Sequence, residues 1–389
     1  MKIKSVRSVR VSLPEQTGEV NPRRPSWNKS AKRAMPINLY PRFSRYPHDM
    51  PAGQLDTVWV RVVAEDGTWG LGQCAFGEPV SAFINTVIAP IIEGQNCMAI
   101  EHLNDLIVRV SQRFGTSGTA STAMSGVDLA LWDLKGKILN QPVYSLLGGP
   151  VRESITCYAT SDDLDWSQEL GFTKFKITNP SHYSDGDAGI KAVIDHVSQA
   201  RERVGAEHDL MINPVMSYNF EFAQRLLEHL RPYNLRWLEE PLVPTDNDGL
   251  ARLRKSAPWV AIATGEDHHG RHAFLDLVEK RAADILQPDL NWGGGLTEAM
   301  KIHTIGEIAG IATIPHGGAN NPFGQHFAMA ATESPMAEYW LGTDPGVPLE
   351  DTIRIPGTAI PVNGKIVPSS DPGFGMHIEQ DDISEWSTS

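Results

Sequence analysis

The chain reads as an α/β protein in which a β/α barrel follows an α+β part, and two observations predict this. The first is a series of short apolar runs that close on Asn213, Glu239, Glu266, Asp289 and His316, each followed by turn residues. Successive steps of 26, 27, 23 and 27 residues fit one strand, one helix and two loops. Units of that length close into a barrel whose strand C-termini share one mouth. The second observation is a count. Strand-like segments at 155–159, 173–178, 210–213, 235–239, 260–265, 285–287, 312–315 and 337–340 make eight, the number a closed barrel needs. Between them lie amphipathic stretches such as Phe222, Leu226, Leu227 and Leu230.

The N-terminal part follows a different pattern. Ile3, Val6, Val9 and Val11 mark a first strand, and 57–63 and 69–75 read as a hairpin turned by Asp66-Gly67. Helical segments follow at 80–91, 102–113 and 120–139, the last with Val127, Ala130, Leu131, Leu134 and Ile138 on one face. The forty or so residues from Pro14 to Leu55 lack periodicity and are rich in Pro, Arg and aromatic residues. A stretch of that kind after a clear strand reads as a functional lid, with Trp27, Arg42, Arg45, Tyr46 and His48 as its candidates for touching ligand. We take 1–150 as the first domain, 151–341 as the barrel and 342–389, punctuated by prolines, as an extended C-terminal segment.

At 389 residues with 41% hydrophobic and 21% charged residues, the chain can bury a sizeable core. A net charge of −13 argues against nucleic acid as a partner, because phosphate binding needs basic surface. Three widely spaced cysteines fit a reducing compartment. No run approaches a membrane span or a signal-peptide core, so we expect a cytoplasmic protein with no membrane partner, assembled as a homo-oligomer.

Three oxygen ligands on adjacent strand ends, Asn213, Glu239 and Glu266, form a shell for a hard cation such as Mg²⁺. Glu240 and Asp267, one residue further on, are expected to point elsewhere. Lys174 and Lys176 share one face of their strand. A barrel-interior lysine beside a cation is a good base, since burial and nearby positive charge lower its pKa. His316 next to Asp289 has the arrangement of a working acid/base, and Glu338 could share a proton with a substrate oxygen. A divalent metal with such bases suits proton abstraction beside a carboxylate, where the dianion needs metal stabilisation.

The segment from Ala123-Met124-Ser125-Gly126-Val127-Asp128 through Trp132-Asp133-Leu134-Lys135-Gly136-Lys137 to Pro142-Val143-Tyr144-Ser145-Leu146-Leu147-Gly148 resembles the signature of the mandelate racemase branch of the enolase superfamily. Within that branch the chain is most similar to acid-sugar dehydratases acting on L-rhamnonate or L-lyxonate, through Asp185-Gly186-Asp187, Pro232-Tyr233-Asn234-Leu235 and His268-His269-Gly270. The resemblance implies a modified, TIM-like barrel under an α+β capping domain that the C-terminal segment completes. It implies a sugar-acid substrate, Mg²⁺ held at 213, 239 and 266, His316 with Asp289 expelling the 3-hydroxyl, Glu338 on the substrate, and Arg45, Trp27 and His268 as substrate contacts. A racemase or epimerase using Lys176 and His316, and a sugar-acid binding protein without catalysis, remain the alternatives.

Asn213 departs from the aspartate such a series calls for. An amide oxygen ligates Mg²⁺ without charge. At ~4 Å and an effective dielectric of ~20 the missing charge pair is worth at most about 4 kcal/mol, or about three decades in binding. A natural weak-binding variant, an introduced substitution and an inactive barrel all stay open.

Overall fold

The computed structural model describes residues 1–14, 21–40, 43 and 56–386. Its first layer is an antiparallel sheet in the order β13-β1-β2-β3, from β1 (Ile3–Val11), β2 (Val58–Ala64), β3 (Trp69–Cys74) and β13 (Ile383–Glu385). The Asp66-Gly67 turn joins β2 and β3, with Gly67 at φ +89°, a left-handed conformation that favours glycine. The 21-residue helix Thr119–Leu139 lies directly on β3. Glycine is needed there: a Cβ at Gly70 would stand 2.3 Å from the Ala130 carbonyl oxygen, and one at Gly72 2.2 Å from that of Gly126. Val6, Val60, Val62, Ile84, Leu103, Val127, Leu131 and Leu134 fill the core between sheet and helices.

Eight parallel strands follow, curled in the order β10-β9-β8-β7-β6-β5-β4-β11. They are β4 (Ile155–Thr160), β5 (Lys174–Thr178), β6 (Asp209–Asn213), β7 (Trp237–Glu239), β8 (Ala261–Thr264), β9 (Ile285–Leu286), β10 (Ala312–Thr313) and β11 (Ala337–Trp340). The seam between β10 and β11 is bridged by Thr313 N–H donating to the Glu333 carbonyl and Ala319 N–H to that of Glu338, at 2.9 and 2.7 Å. Tyr158, Met211, Trp237, Ala263, Ile285, Ile314 and Met336 pack inside the barrel, while the alternate residues, such as Phe175, Ile212, Leu238 and Ile262, face the helices. The period of two therefore sorts each strand into an inner and an outer face. The fold is the α/β barrel with an α+β cap that the sequence predicts.

The chain then returns. β12 (Lys365–Ile366) pairs antiparallel with β4, Phe374 N–H donates to Asp133, and β13 completes the cap sheet beside β1. The long helix also grips the loop after β9: Ser121 donates to the Trp292 carbonyl at 2.7 Å, Ser125 accepts from Gly294 N–H at 2.8 Å, and Asp128 accepts from Thr297 N–H at 2.9 Å. That loop carries Asp289, so the cap helps set one edge of the mouth.

Candidate active site

The mouth is built from strand C-termini, and its side chains fall into two connected sets. In the first, Lys176 on β5 is buried between Glu239 on β7 and Glu338 on β11, with its Nζ 2.7 Å from Glu338 Oε1 and in closer contact with Glu239 Oε1. Glu239 is saturated. Besides Lys176 it accepts from Asn213 Nδ2 at 2.8 Å, Gln287 Nε2 at 2.9 Å and Trp237 Nε1 at 3.0 Å. Glu338 also accepts from the Thr160 hydroxyl and from Gly317 N–H. Burial opposes charge on Lys176, but Glu239, Glu338 and Glu266 outweigh it and hold the ammonium above its ordinary pKa. The expected lowering calls for a cation beside the lysine, and the protein groups alone act in the opposite direction. The physical reason is that the lysine's neighbours are anions, and opposite charge favours the charged form.

In the second set, His316 Nδ1 lies 2.8 Å from Asp289 Oδ2, and its Nε2 lies 3.6 Å from Glu266 Oε2. Asp289 Oδ1 accepts from the N–H groups of Asn291 and Trp292, so that carboxylate is fixed. Burial works against the imidazolium, yet Glu266, Asp289 and Glu338 together raise the His316 pKa well above the ordinary value. The imidazole is partly exposed, and Trp292 packs against it with ring centroids 5.2 Å apart.

Two expected site residues lie elsewhere. Lys174 shares a face with Lys176 but begins its strand, ~7 Å further from the mouth at ~3.3 Å per residue. Its Nζ meets Asp209 at 2.5 Å, beside Arg236, at the N-terminal ends of β6 and β7. His268 is 3% exposed, is bonded to Asn247 Oδ1 at 3.1 Å and packs near Phe274. Burial lowers its pKa to about 4, the signature of a neutral, enclosed imidazole. Trp27 is also buried. Its indole N–H donates to the Leu341 carbonyl at 2.7 Å and its amide to Asp163 at 2.8 Å, which clamps residues 23–34 over the ends of β4, β5 and β11 with help from Arg24, Lys29 and Ala34. Arg45, like Arg42, Tyr46 and His48, lies outside the described residues. Beside the mouth, a cleft of about 730 Å³ is lined by Asn28, Lys29, Gln73, Asn320, Asn321 and Trp340 among others.

Glu240 and Asp267 do not point away. With Glu266 they bring one carboxylate oxygen each to within 4.8 Å of one another. Parity misplaced Glu240 because its φ of +42° takes it out of strand geometry, so its side chain no longer alternates. The signal available in the sequence was the pair of acidic doublets, Glu239-Glu240 and Glu266-Asp267, at successive strand ends. Burial, Glu266, Asp267 and Glu239 raise the Glu240 pKa well above the carboxylate range, and burial with Glu239 and Asp267 raises that of Glu266 to about 7 against the pull of His316. Three crowded carboxylates facing the single charge of His316 fit a divalent cation, whose oxygen preference matches this donor set.

Residues 162–382 match the enolase C-terminal domain-like family, and residues 37–148 match the N-terminal domain of mandelate racemase / muconate lactonizing enzymes. The chain belongs to this family. It is 36% identical over 349 residues to an L-rhamnonate dehydratase of Saccharopolyspora erythraea, covering 89% of each chain. To a putative L-rhamnonate dehydratase of Caldivirga maquilingensis it is 35% identical over 350 residues, 90% of this chain and 87% of that one. A crystal structure of rhamnonate dehydratase from Gibberella zeae complexed with Mg, 28% identical, superposes with a TM-score of 0.89 over 98% of this chain and 95% of that one. These relatives are dehydratases, that is, hydro-lyases, and this chain is an enzyme of that class. Among the described residues, no helix is long and apolar enough to cross a membrane.

Proposed function

We propose that the chain dehydrates an acid sugar, L-rhamnonate or a related aldonate such as L-lyxonate, to the 2-keto-3-deoxy acid in a Mg²⁺-dependent reaction. The observation that carries this reading is the His316–Asp289 pair, 2.8 Å apart on successive strand ends in a chain so similar to rhamnonate dehydratases. His316 Nε2 faces Glu266 and is the nitrogen available to substrate. In its neutral form it takes the C2 proton and then, as imidazolium, gives it to the departing 3-hydroxyl, so the C3–O bond breaks and water leaves. The resulting enol becomes the 2-keto acid. Asp289 fixes the tautomer and steadies the imidazolium.

Bound Mg²⁺ supplies positive charge beside the substrate carboxylate, which makes the C2 proton more acidic. Glu266 is common to both donor sets, Asn213 with Glu239 and Glu266, and Glu240 with Glu266 and Asp267. Lys176, tied to two carboxylates, orients Glu239 and Glu338 and leaves both proton transfers to His316. The polar amides and Trp340 of the neighbouring cleft suit the hydroxyls of a sugar acid. The test is a panel of five- and six-carbon aldonates with Mg²⁺, scored for 2-keto acid. Product from L-rhamnonate or a close relative is expected, and silence across the panel refutes the reading. Deuterium entering C2 without keto acid would make the enzyme an epimerase instead.

A further inference from the structure

We propose that Trp292 positions His316 for proton transfer and is itself set in place by the capping domain. The inference rests on the acid/base role of His316 proposed above. Asp289 Oδ2 holds the imidazole at Nδ1, 2.8 Å away, which fixes one edge of the ring and leaves the far edge, with Nε2, free to swing. On the flank of the ring stands the Trp292 indole, with centroids 5.2 Å apart and planes inclined at 49°. A flat aromatic wall at that separation blocks the swing and keeps Nε2 directed into the mouth. Trp292 is half-buried and supports the dyad a second time, since its main-chain N–H donates to Asp289 Oδ1 at 3.1 Å.

The indole is itself held. Its Nε1–H donates to the main-chain carbonyl of Glu266 at 2.6 Å, which ties it to the end of β8 through the backbone. Phe76 of the capping domain packs against it with ring centroids 5.8 Å apart. The Trp292 carbonyl accepts from Ser121 Oγ on the long cap helix at 2.7 Å, and His269 Nδ1 lies 3.1 Å from it. The flanking residues are gripped by the cap as well: Asn291 Nδ2 donates to the Gln73 carbonyl at 2.8 Å, and Gly294 N–H donates to Ser125 Oγ at 2.8 Å. The turn has little slack, because a Cβ at Gly293 would stand 2.5 Å from the Asp289 carbonyl oxygen. Contacts from Gln73, Phe76, Ser121 and Ser125 thus converge on the turn that carries both Asp289 and Trp292. Docking of the cap decides where Nε2 points. A displacement of ~1 Å can cost about 10²-fold in rate, so a residue that acts only through His316 still controls turnover.

Two readouts on the full chain test this. Carbon-13 labelling of the histidine rings gives the His316 resonance, assigned by its loss in His316→Asn. A single His316 line is expected in the wild type, split or broadened in Trp292→Ala and single again in Trp292→Phe, which restores an aromatic wall. In turnover of an aldonate to the 2-keto acid, Trp292→Ala should lose about 10²-fold in kcat with KM and calorimetric sugar-acid affinity within about threefold of wild type. Trp292→Phe should recover most of that loss. Ser121→Ala leaves the indole intact and removes one cap contact, so it should show the same split at about threefold in kcat, the scale of one hydrogen bond. Thermal melts establish that each variant is folded. In the His316→Asn background Trp292→Ala should cost nothing further, because no imidazole is left to aim. One sharp His316 line in both Trp292→Ala and Ser121→Ala, an equal kcat loss in the His316→Asn background, or a loss confined to KM overturns the assignment. A wild type that turns over no aldonate refutes the dehydratase reading instead, and the His316 line shapes still decide the positioning.

Discussion

Replacing Lys176 with Met tests whether this lysine is a charged clamp. The substitution keeps the length and apolar stem and removes the ammonium from between Glu239 and Glu338, which are 1% and 2% exposed. Removing one partner of a buried ion pair destabilises by ~3–5 kcal/mol, because the remaining charge is uncompensated. Glu239 would still accept from Asn213, Trp237 and Gln287, and Glu338 from Thr160 and Gly317. That residual solvation places the expected loss at the lower end, ~3 kcal/mol. Urea unfolding near neutral pH measures it, and a Lys176→Met/Glu239→Gln cycle isolates the pair, since removing both charges should recover part of the loss.

The pH dependence gives the sign. Lys176 has a raised folded pKa, so its contribution is complete below the ordinary value of 10.5 and fades only as pH climbs through the higher folded one. For Glu338, burial pushes the pKa up, but Lys176 and His316 overcome it and hold the carboxyl down to about 2 against an ordinary 4.5. Its contribution is present above 4.5 and is lost as pH falls toward 2. Wild type should therefore lose stability over that acid window, and Lys176→Met should lose less. A variant that unfolds at the wild-type urea concentration, while activity loses a pH limb belonging to a neutral amine, would show that Lys176 is a base and refute the clamp.

His316→Asn should reduce 2-keto acid formation by ~10²–10⁴-fold, the range for a lost general acid/base, with sugar-acid affinity by calorimetry nearly unchanged; full turnover would remove His316 from the chemistry. His268 should act as an acid-sensitive core group. Its folded pKa near 4 lies below the ordinary 6.5, so the stability it confers is complete above 6.5 and falls away toward pH 4, by ~3 kcal/mol at 1.36 kcal/mol per unit. Melts of His268→Gln across that range should slope less than wild type, and parallel slopes would count against it. Asn213→Asp replaces the N–H that reaches Glu239 with a second carboxylate. The chelator-treated variant should unfold ~1–3 kcal/mol more easily, and unchanged stability would refute a contribution from that bond.

The periodic features were legible because periodicity is local. The strand-end series, the inner and outer faces and the long cap helix all follow from spacing along the chain. The pair His316–Asp289 was legible too, since successive strand ends are neighbours once a barrel is inferred. Lys176 is legible as a barrel-interior lysine, but its contacts with Glu239 and Glu338 come from strands far apart in sequence and only the folded arrangement reveals them. Lys174 shows that a shared face does not mean a shared depth. Trp27 was picked out as an aromatic residue in an aperiodic arm. Its role depends on Asp163 and Leu341, far away in sequence, and no local pattern announces such contacts. Glu240 escapes parity for a different reason: alternation holds only while backbone dihedrals stay extended, and a φ of +42° ends it.

The two halves of the mouth differ in how their negative charge is balanced, and residue 213 sits at the dividing line. An aspartate there would place a carboxylate 2.8 Å from Glu239, an arrangement that needs a cation between them or a proton shared. With asparagine the same contact is a donor bond, and Lys176 offsets one of the two charges of Glu239 and Glu338 while the amide, indole and hydroxyl donors solvate the rest. That wall of the barrel can therefore assemble before metal arrives. The acids left over, Glu240, Glu266 and Asp267, face one another and His316, next to the nitrogen available for proton transfer. A positive charge introduced there lowers the tendency of Glu266 to hold His316 protonated, which couples the ion to the base through a contact of 3.6 Å. The side chains thus keep one permanent internal cation, the Lys176 ammonium, between Glu239 and Glu338.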